Sequence, residues 1–248
     1  MIRFTVLFFI FCLPIFGLTG LDVMALVQEE SRKRSTREAV VDMIILDSKG
    51  RERARYFNYW TKFKKNSEKS LIKFFRPTNV KGTSLLTHSS SAEGEKSQWI
   101  YLPAFKSVKQ LSSSDKNKSF MGSDFSYSDI AGRKLNQDNH RLIKETPDNY
   151  YIESIPNDLD AAIYSKIRYI ISKELNIVKK AIFYDKEGNK LKSLTSINVS
   201  KINGVNVVMG SEMVNHQTDG KTMLTVVSMK VGYSIKDDFF SVKGLKAL

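Results

Sequence analysis

The chain has 248 residues, of which 42% are hydrophobic and 26% charged, enough to bury one substantial core and too apolar for a disordered segment. Lysine and arginine number 39 against 26 acidic residues, a formal net charge of +13, but the cations are scattered, with clusters only at "SRKRSTR" and "KFKKNSEK". No zinc-finger, helix-turn-helix or RNA-binding signature accompanies them, so nucleic acid is excluded as a partner, and anionic lipid head groups, acidic glycans or a charged protein are favoured.

The first segment, "MIRFTVLFFIFCLPIFGLTGLDVMA", has a short basic start at Arg3 and then an apolar run. Val23 and Ala25 are small enough for the −3 and −1 positions of a signal-peptidase site, which predicts cleavage after Ala25 and export. Pro14, Gly17 and Gly20 interrupt the run and argue against an uncleaved membrane anchor. Cys12, the single cysteine, falls in this leader. The mature chain therefore has neither a disulfide framework nor a thiolate metal site. Residues 1–25 are assigned as signal peptide and residues 26–248 as a single domain.

Next, "QEESRKRSTREAVVD" predicts one charged helix over Gln28 to Asp42. Beyond it the apolar period is two. "LDSKGRER" around Gly50 separates "AVVDMIIL" from "RARYFNYWTKF". Similar turn signals recur at "TPDNYY", "YDKEGNKL", "KINGVN" and "HQTDGKT", between runs rich in Val, Ile, Tyr, Phe and Thr. From about Arg141 to Val231 the chain predicts a continuous antiparallel meander. Within it, "DLDAAIYSKIRYIISKELN" is assigned as strand, with a short helix at Asp158 to Ile163 as the alternative. The stretch "SFMGSDFSYSDI", free of basic residues between lysine-rich flanks, is also assigned as strand, with Gly122 marking a bulge or a close backbone approach. In total, roughly ten or eleven strands and one or two helices are predicted. A sheet that long must curl, and its concave face needs a filling.

Catalytic chemistry is not legible. His88, His140 and His216 are far apart in sequence, with no partner at ligand spacing. The serines of "THSSSAEGEKS" lack a nucleophile-elbow setting, and the glycines form no phosphate cradle. The expectation is a non-enzyme with no metal and no cofactor.

Four segments carry a family likeness: "IKFFRPTNVKGTSLLTHS", "QWIYLPAFKSVKQLSSS", "SFMGSDFSYSDI" and "YSKIRYIISKELNIVKKAIFYDKEGNKLKSL". In this order they resemble the periplasmic outer membrane lipoprotein-sorting protein family, related to the carrier LolA and the receptor LolB. The likeness spans about Val40 to Phe240, and its most specific part is Phe120, Met121, Gly122, Ser123, Asp124 and Phe125. The resemblance implies an incomplete antiparallel β-barrel with a helical lid, wrapping an apolar cavity that holds acyl chains of lipoproteins or lipids. This agrees with an exported meander that has too few helices to cover its sheet.

Candidate cavity residues follow from the aromatic-rich strands. They are Phe57, Tyr59 and Trp60 in "YFNYWTKF", Phe75 in "IKFFRP", and Trp99 and Tyr101 in "QWIYLPAF". Met121, Phe125 and Tyr127, which share a face if their segment is extended, complete the set. Alternation alone leaves open which face of each strand is concave. The expected activity is that of a non-catalytic periplasmic carrier or acceptor, with a membrane transporter or an outer-membrane acceptor as partner. The alternative is a lipid-sensing or accessory domain serving an exporter or signalling protein.

Overall fold

Val, Ile, Tyr and Phe at alternate positions favour extended backbone, and most of the chain obeys that pattern. The computed structural model describes residues 17–33, 36–65, 67–90 and 96–247. Most of the expected leader, residues 1–16, lies outside this range. The first strands are β1 (Thr36–Leu46), β2 (Glu52–Lys64), β3 (Ser67–Arg76), β4 (Ser84–Ser90), β5 (Ser97–Leu102) and β6 (Ser107–Gln110). The rest are β7 (Asp138–Glu145), β8 (Asn149–Pro156), β9 (Lys166–Ser172), β10 (Ile177–Tyr184), β11 (Lys190–Ile202), β12 (Val205–Asn215) and β13 (Lys221–Val231). All thirteen form one antiparallel sheet, in the order β6-β5-β4-β3-β2-β1-β13-β12-β11-β10-β9-β8-β7.

The order describes two meanders joined by the pairing of β1 with β13, with Arg37 opposite Val231 and Leu46 opposite Lys221. The count exceeds the ten or eleven expected. A four-residue strand such as β6 offers too few alternating positions to be read from sequence. The meander from Arg141 to Val231 is as expected. Strand also prevails in "KIRYIIS", where Ile167 and Ile171 are fully buried while Arg168 is exposed.

The predicted helix over Gln28 to Asp42 is corrected. Helix α1 covers Gly20–Arg32, and strand β1 has begun by Thr36. Pairing on both sides, with β2 and β13, takes "TREAVVDMIIL" into the sheet despite its charges. Thr19 caps α1 in a reciprocal box, accepting from the Asp22 amide (3.2 Å) while the Asp22 carboxylate accepts from the Thr19 amide (2.8 Å). Gly20 lies so close to β7 that an added Cβ would sit 2.5 Å from the His140 carbonyl oxygen. Val23, 1% exposed, then packs on Ile152 and Ile171. At the other end Glu30 accepts from the Asn206 amide at 2.9 Å, fastening α1 to the start of β12.

The strand assignment for Ser119 to Ile130 is also corrected. Met121 (φ 53°) and Gly122 (φ 81°) are consecutive left-handed residues, which no strand accommodates. The chain folds back so that the Phe120 amide donates to the Phe125 carbonyl at 2.7 Å. Ser126 then caps a short helix, α3 (Tyr127–Ala131), through a box with Asp129. One further single-turn helix, α2 (Ser113–Lys116), precedes this segment, and α4 (Gly244–Ala247) is the last element among the described residues.

Candidate functional site

The sheet curls around an interior filled in three different ways. At one end, Phe120 plugs the concave face, fully buried, with its ring 5.7 Å from Phe74 and 5.4 Å from Tyr127. Phe125 completes this plug from the same segment. In the middle, α3 lies across the opening between the two meanders. Beneath α1 the filling is incomplete, leaving a cavity of about 610 Å³.

The plug segment is tied to both halves of the sheet. On one side Gln98 donates to the Tyr127 carbonyl at 3.1 Å, and Lys96 to the Ala131 carbonyl at 2.5 Å. On the other, the Asp124 amide donates to Thr222 Oγ1 at 3.0 Å, and that hydroxyl donates to Asp124 Oδ2 at 2.7 Å. Asp129 accepts from Tyr164 Oη at 2.7 Å and forms an ion pair with Lys192, both members being 7% exposed. Burial, and then the charge of Asp129, push the Tyr164 hydroxyl well above its ordinary pKa. The family-motif residues Phe120 to Phe125 thus form a clasp across the barrel opening rather than one of its staves.

The cavity roof is the underside of α1, through Met24, Val27, Gln28 and Ser31. Its floor includes Ala39, Val41, Phe57 and Tyr59 from the first meander and Leu224, Val226 and Met229 from β13. Burial raises the Tyr59 hydroxyl pKa strongly, with the Glu68 charge adding to it, so that group stays protonated at neutral pH. Arg37 reaches the cavity from the start of β1. It donates to the Ser31 carbonyl at the end of α1, and its guanidinium lies 5.4 Å from the Phe63 ring centre.

Of the candidates read from sequence, Phe57, Tyr59 and Phe125 line the cavity. Met121 and Tyr127 pack against the same core from the clasp. Trp60, Trp99 and Tyr101 lie instead on the convex face, clustered with Leu71, Leu86 and Phe240. Phe75, at a bulge where Phe57 pairs with Phe74, has its ring 6.3 Å from Tyr56. Parity explains the division: odd positions of β2 and even positions of β3 and β5 face inward, so Trp60 and Trp99 point out.

Sequence reasoning missed Arg37, Thr61, Lys96, Asp129 and Lys192. The Ser126-x-x-Asp129 box was the one local signal among them. Among the described residues no group of three or more His, Cys, Asp and Glu side chains is placed to hold a metal ion, and no helix is long and apolar enough to cross a membrane.

A family model described as "Uncharacterized protein" matches residues 66–247. No functionally curated protein matches the chain. Among solved structures, a DUF1329 family protein from Desulfovibrio piger superposes with a TM-score of 0.86 at 27% identity, covering 91% of this chain and 97% of its own. A domain of outer membrane lipoprotein-sorting type from Vibrio parahaemolyticus gives 0.84 at 28% identity, covering 92% and 98%. A LolA superfamily protein from Nitrosomonas europaea gives 0.72 at 18% identity, covering 92% and 100%, a likeness of fold alone. The curled thirteen-stranded sheet and the family-model match agree: the chain belongs to the outer membrane lipoprotein-sorting protein family and has a LolA-like fold.

Proposed function

We propose that the protein is a non-catalytic periplasmic carrier or acceptor, sheltering acyl chains of lipoproteins or lipids on their way toward the outer membrane. The observation that carries this reading is the cavity of about 610 Å³ between the concave sheet and α1, within the size range of small-molecule sites. Each methylene transferred into it from water contributes about 0.8 kcal/mol, so a long chain is held firmly without any covalent step. Release needs a route out. The roof helix supplies one, because the part of α1 beyond Ala25 is held by side-chain packing and the Glu30–Asn206 bond rather than by strand pairing. A membrane transporter that loads the cavity, or an outer-membrane acceptor that empties it, is the partner this reading requires.

Mass spectrometry of organic extracts from gently purified protein tests the proposal. The expected result is a stoichiometric lipid or acylated species. A clean extract, with no uptake of added lipid by the purified protein, would overturn it.

Export by the amino-terminal leader belongs to the same reading. Cleavage after Ala25 would remove Thr19 and Val23, and with them the cap and buried anchor of α1. The intact mass of the exported protein therefore also reports whether α1 is present in full.

A further inference from the structure

The concave face of the first five strands changes character along its length. Strand register sets Arg37 opposite Thr61, Thr61 opposite Ser70, Ser70 opposite Thr87 and Thr87 opposite Gln98. This polar row crosses five strands. Two residues further along β1, the parallel row reads Ala39, Tyr59, Ile72, Leu85 and Ile100. The polar row lies at the end of the cavity opposite the Phe120 plug, beside the last turn of α1.

Three buried side-chain atoms in this row have no hydrogen-bond partner among the described residues: Arg37 Nε, Thr61 Oγ1 and Gln98 Oε1. Gln98 lies under the clasp, but Arg37 and Thr61 are cross-strand neighbours that both line the cavity. Unpaired buried polar atoms are rare in folded proteins because desolvation goes uncompensated, and two adjacent ones in a cavity wall point to a missing ligand group.

The surrounding charges define that group. Glu68 has Lys96 at 3.4 Å, Asp138 has Arg133, and Asp129 has Lys192, so the carboxylates around this end are matched by their own cations. Arg37 enters no ion pair among the described residues. Its terminal nitrogen is engaged by the backbone carbonyls of Ser31 and Lys33, while the Nε–H has no acceptor among the described residues and its strand partner is Thr61. Burial lowers the Arg37 pKa, outweighing the opposing pull of the nearby Tyr59, Glu30 and Glu68. An N–H of a guanidinium beside an O–H is a two-donor arrangement suited to one oxygen of an anion.

Volume sets the rest of the cargo. At roughly the 30 Å³ that a water occupies in the liquid, a cavity of about 610 Å³ holds about twenty methylene-sized groups. That is one long alkyl chain. Two full chains exceed the space unless α1 moves.

We propose that Arg37 and Thr61 form a head-group subsite, and that the cargo held in this closed state is a single-chain amphiphile with a carboxylate or phosphate head. The inference rests on the acyl-chain reading of the cavity and sharpens it.

The test is calorimetric titration of the full chain, delipidated, with hexadecanoate, hexadecyl phosphate, hexadecanol and inorganic phosphate. Either anionic amphiphile should bind about tenfold more tightly than hexadecanol, the size of one charge-assisted hydrogen bond, and inorganic phosphate should not bind measurably. Thr61→Val, which keeps the side-chain shape, and Arg37→Met should each reduce that preference while leaving hexadecanol binding in place, which also reports an intact fold. Equal affinity for all three long-chain probes, or a preference untouched by both substitutions, would overturn the subsite and leave the acyl-chain reading standing. Tight binding of inorganic phosphate alone would replace the head-group site with a free-anion site. Failure of every long-chain probe to bind would overturn both proposals together.

Discussion

On the convex side of β2 to β5, Trp60, Leu71, Leu86 and Trp99 form a cross-strand row that Ile235, Phe240 and Leu245 of the C-terminal segment cover. On the same side of β7 to β9, the row is Arg141, Glu153 and Arg168, and both arginines stay largely exposed. One half of the sheet is thus buried on both faces and the other half on one. The sequence records the difference. Strands covered on both sides carry consecutive buried apolar residues, as in Leu71–Ile72 and Leu85–Leu86, whereas the buried apolar residues of β9, Ile167 and Ile171, are four apart on one face. In the one-sided half, long cationic side chains lie over the sheet instead, with Lys166 and Arg168 both within 6 Å of the Tyr184 ring centre, at 5.0 and 5.6 Å. The doubly covered half is a fixed wall, while the singly covered half receives α1, the one large element that does not pair with a strand.

Four tests can break the contrast, taken from the largest expected effect to the smallest, the first of them pairing two sites. Phe240→Ala removes a side chain that is 1% exposed from the outer layer and should cost about 3–5 kcal/mol in urea unfolding. Arg141→Ala on the open half should cost under about 0.5 kcal/mol by the same measurement, and comparable losses at the two sites would erase the distinction. Asp129→Ala leaves Lys192 buried without its counter-charge, so a loss of about 3 kcal/mol is expected, together with faster hydrogen exchange through the clasp. An unchanged midpoint would mean the clasp is not fastened there.

Glu153→Gln should cost about 1–2 kcal/mol, since a neutral amide cannot serve two guanidinium groups equally. Burial opposes ionisation of Glu153, but hydrogen bonds from Arg168 and Arg141 outweigh it and hold the carboxyl below its ordinary value. Its contribution is therefore complete above the unfolded pKa, about 4.3, and is lost as pH falls through the lower folded value. The variant should accordingly show a shallower loss of stability below about pH 4 than the parent, and superimposable acid limbs would refute that role. Val23→Ala, made in the uncleaved full chain, deletes two buried methyl groups, worth about 1.5 kcal/mol, at the seat of α1. Amide exchange in α1 should rise while the sheet remains protected, and uniform destabilisation would show that α1 is part of the global unit.

Much of the fold was legible because hairpins are local. Turn residues at Gly50, Gly188 and Gly204 fall between β1 and β2, β10 and β11, and β11 and β12, where period-two runs meet. The family segments could be read for the same reason, since each is a short ordered string. The candidate site was legible only in part. Phe57, Tyr59 and Phe125 reach the cavity, but Trp60, Trp99 and Tyr101 obey the same alternation one residue out of phase. Periodicity gives two faces without marking which is concave. Arg37 and Thr61 could not be paired from sequence because their meeting depends on the register of β1 against β2.

The amino-acid sequence by itself determined an antiparallel meander, its turns, its family and the apolar character of its interior, all properties of neighbouring residues. The tertiary structure decided the pairing of β1 with β13, the division of Gln28 to Asp42 into helix and strand, and the folding of Ser119 to Ile130 into a clasp. These depend on contacts between residues far apart in the chain, such as Asp124 with Thr222 and Glu30 with Asn206. Local propensity is a weak preference per residue, and pairing on two sides or a buried ion pair outweighs it.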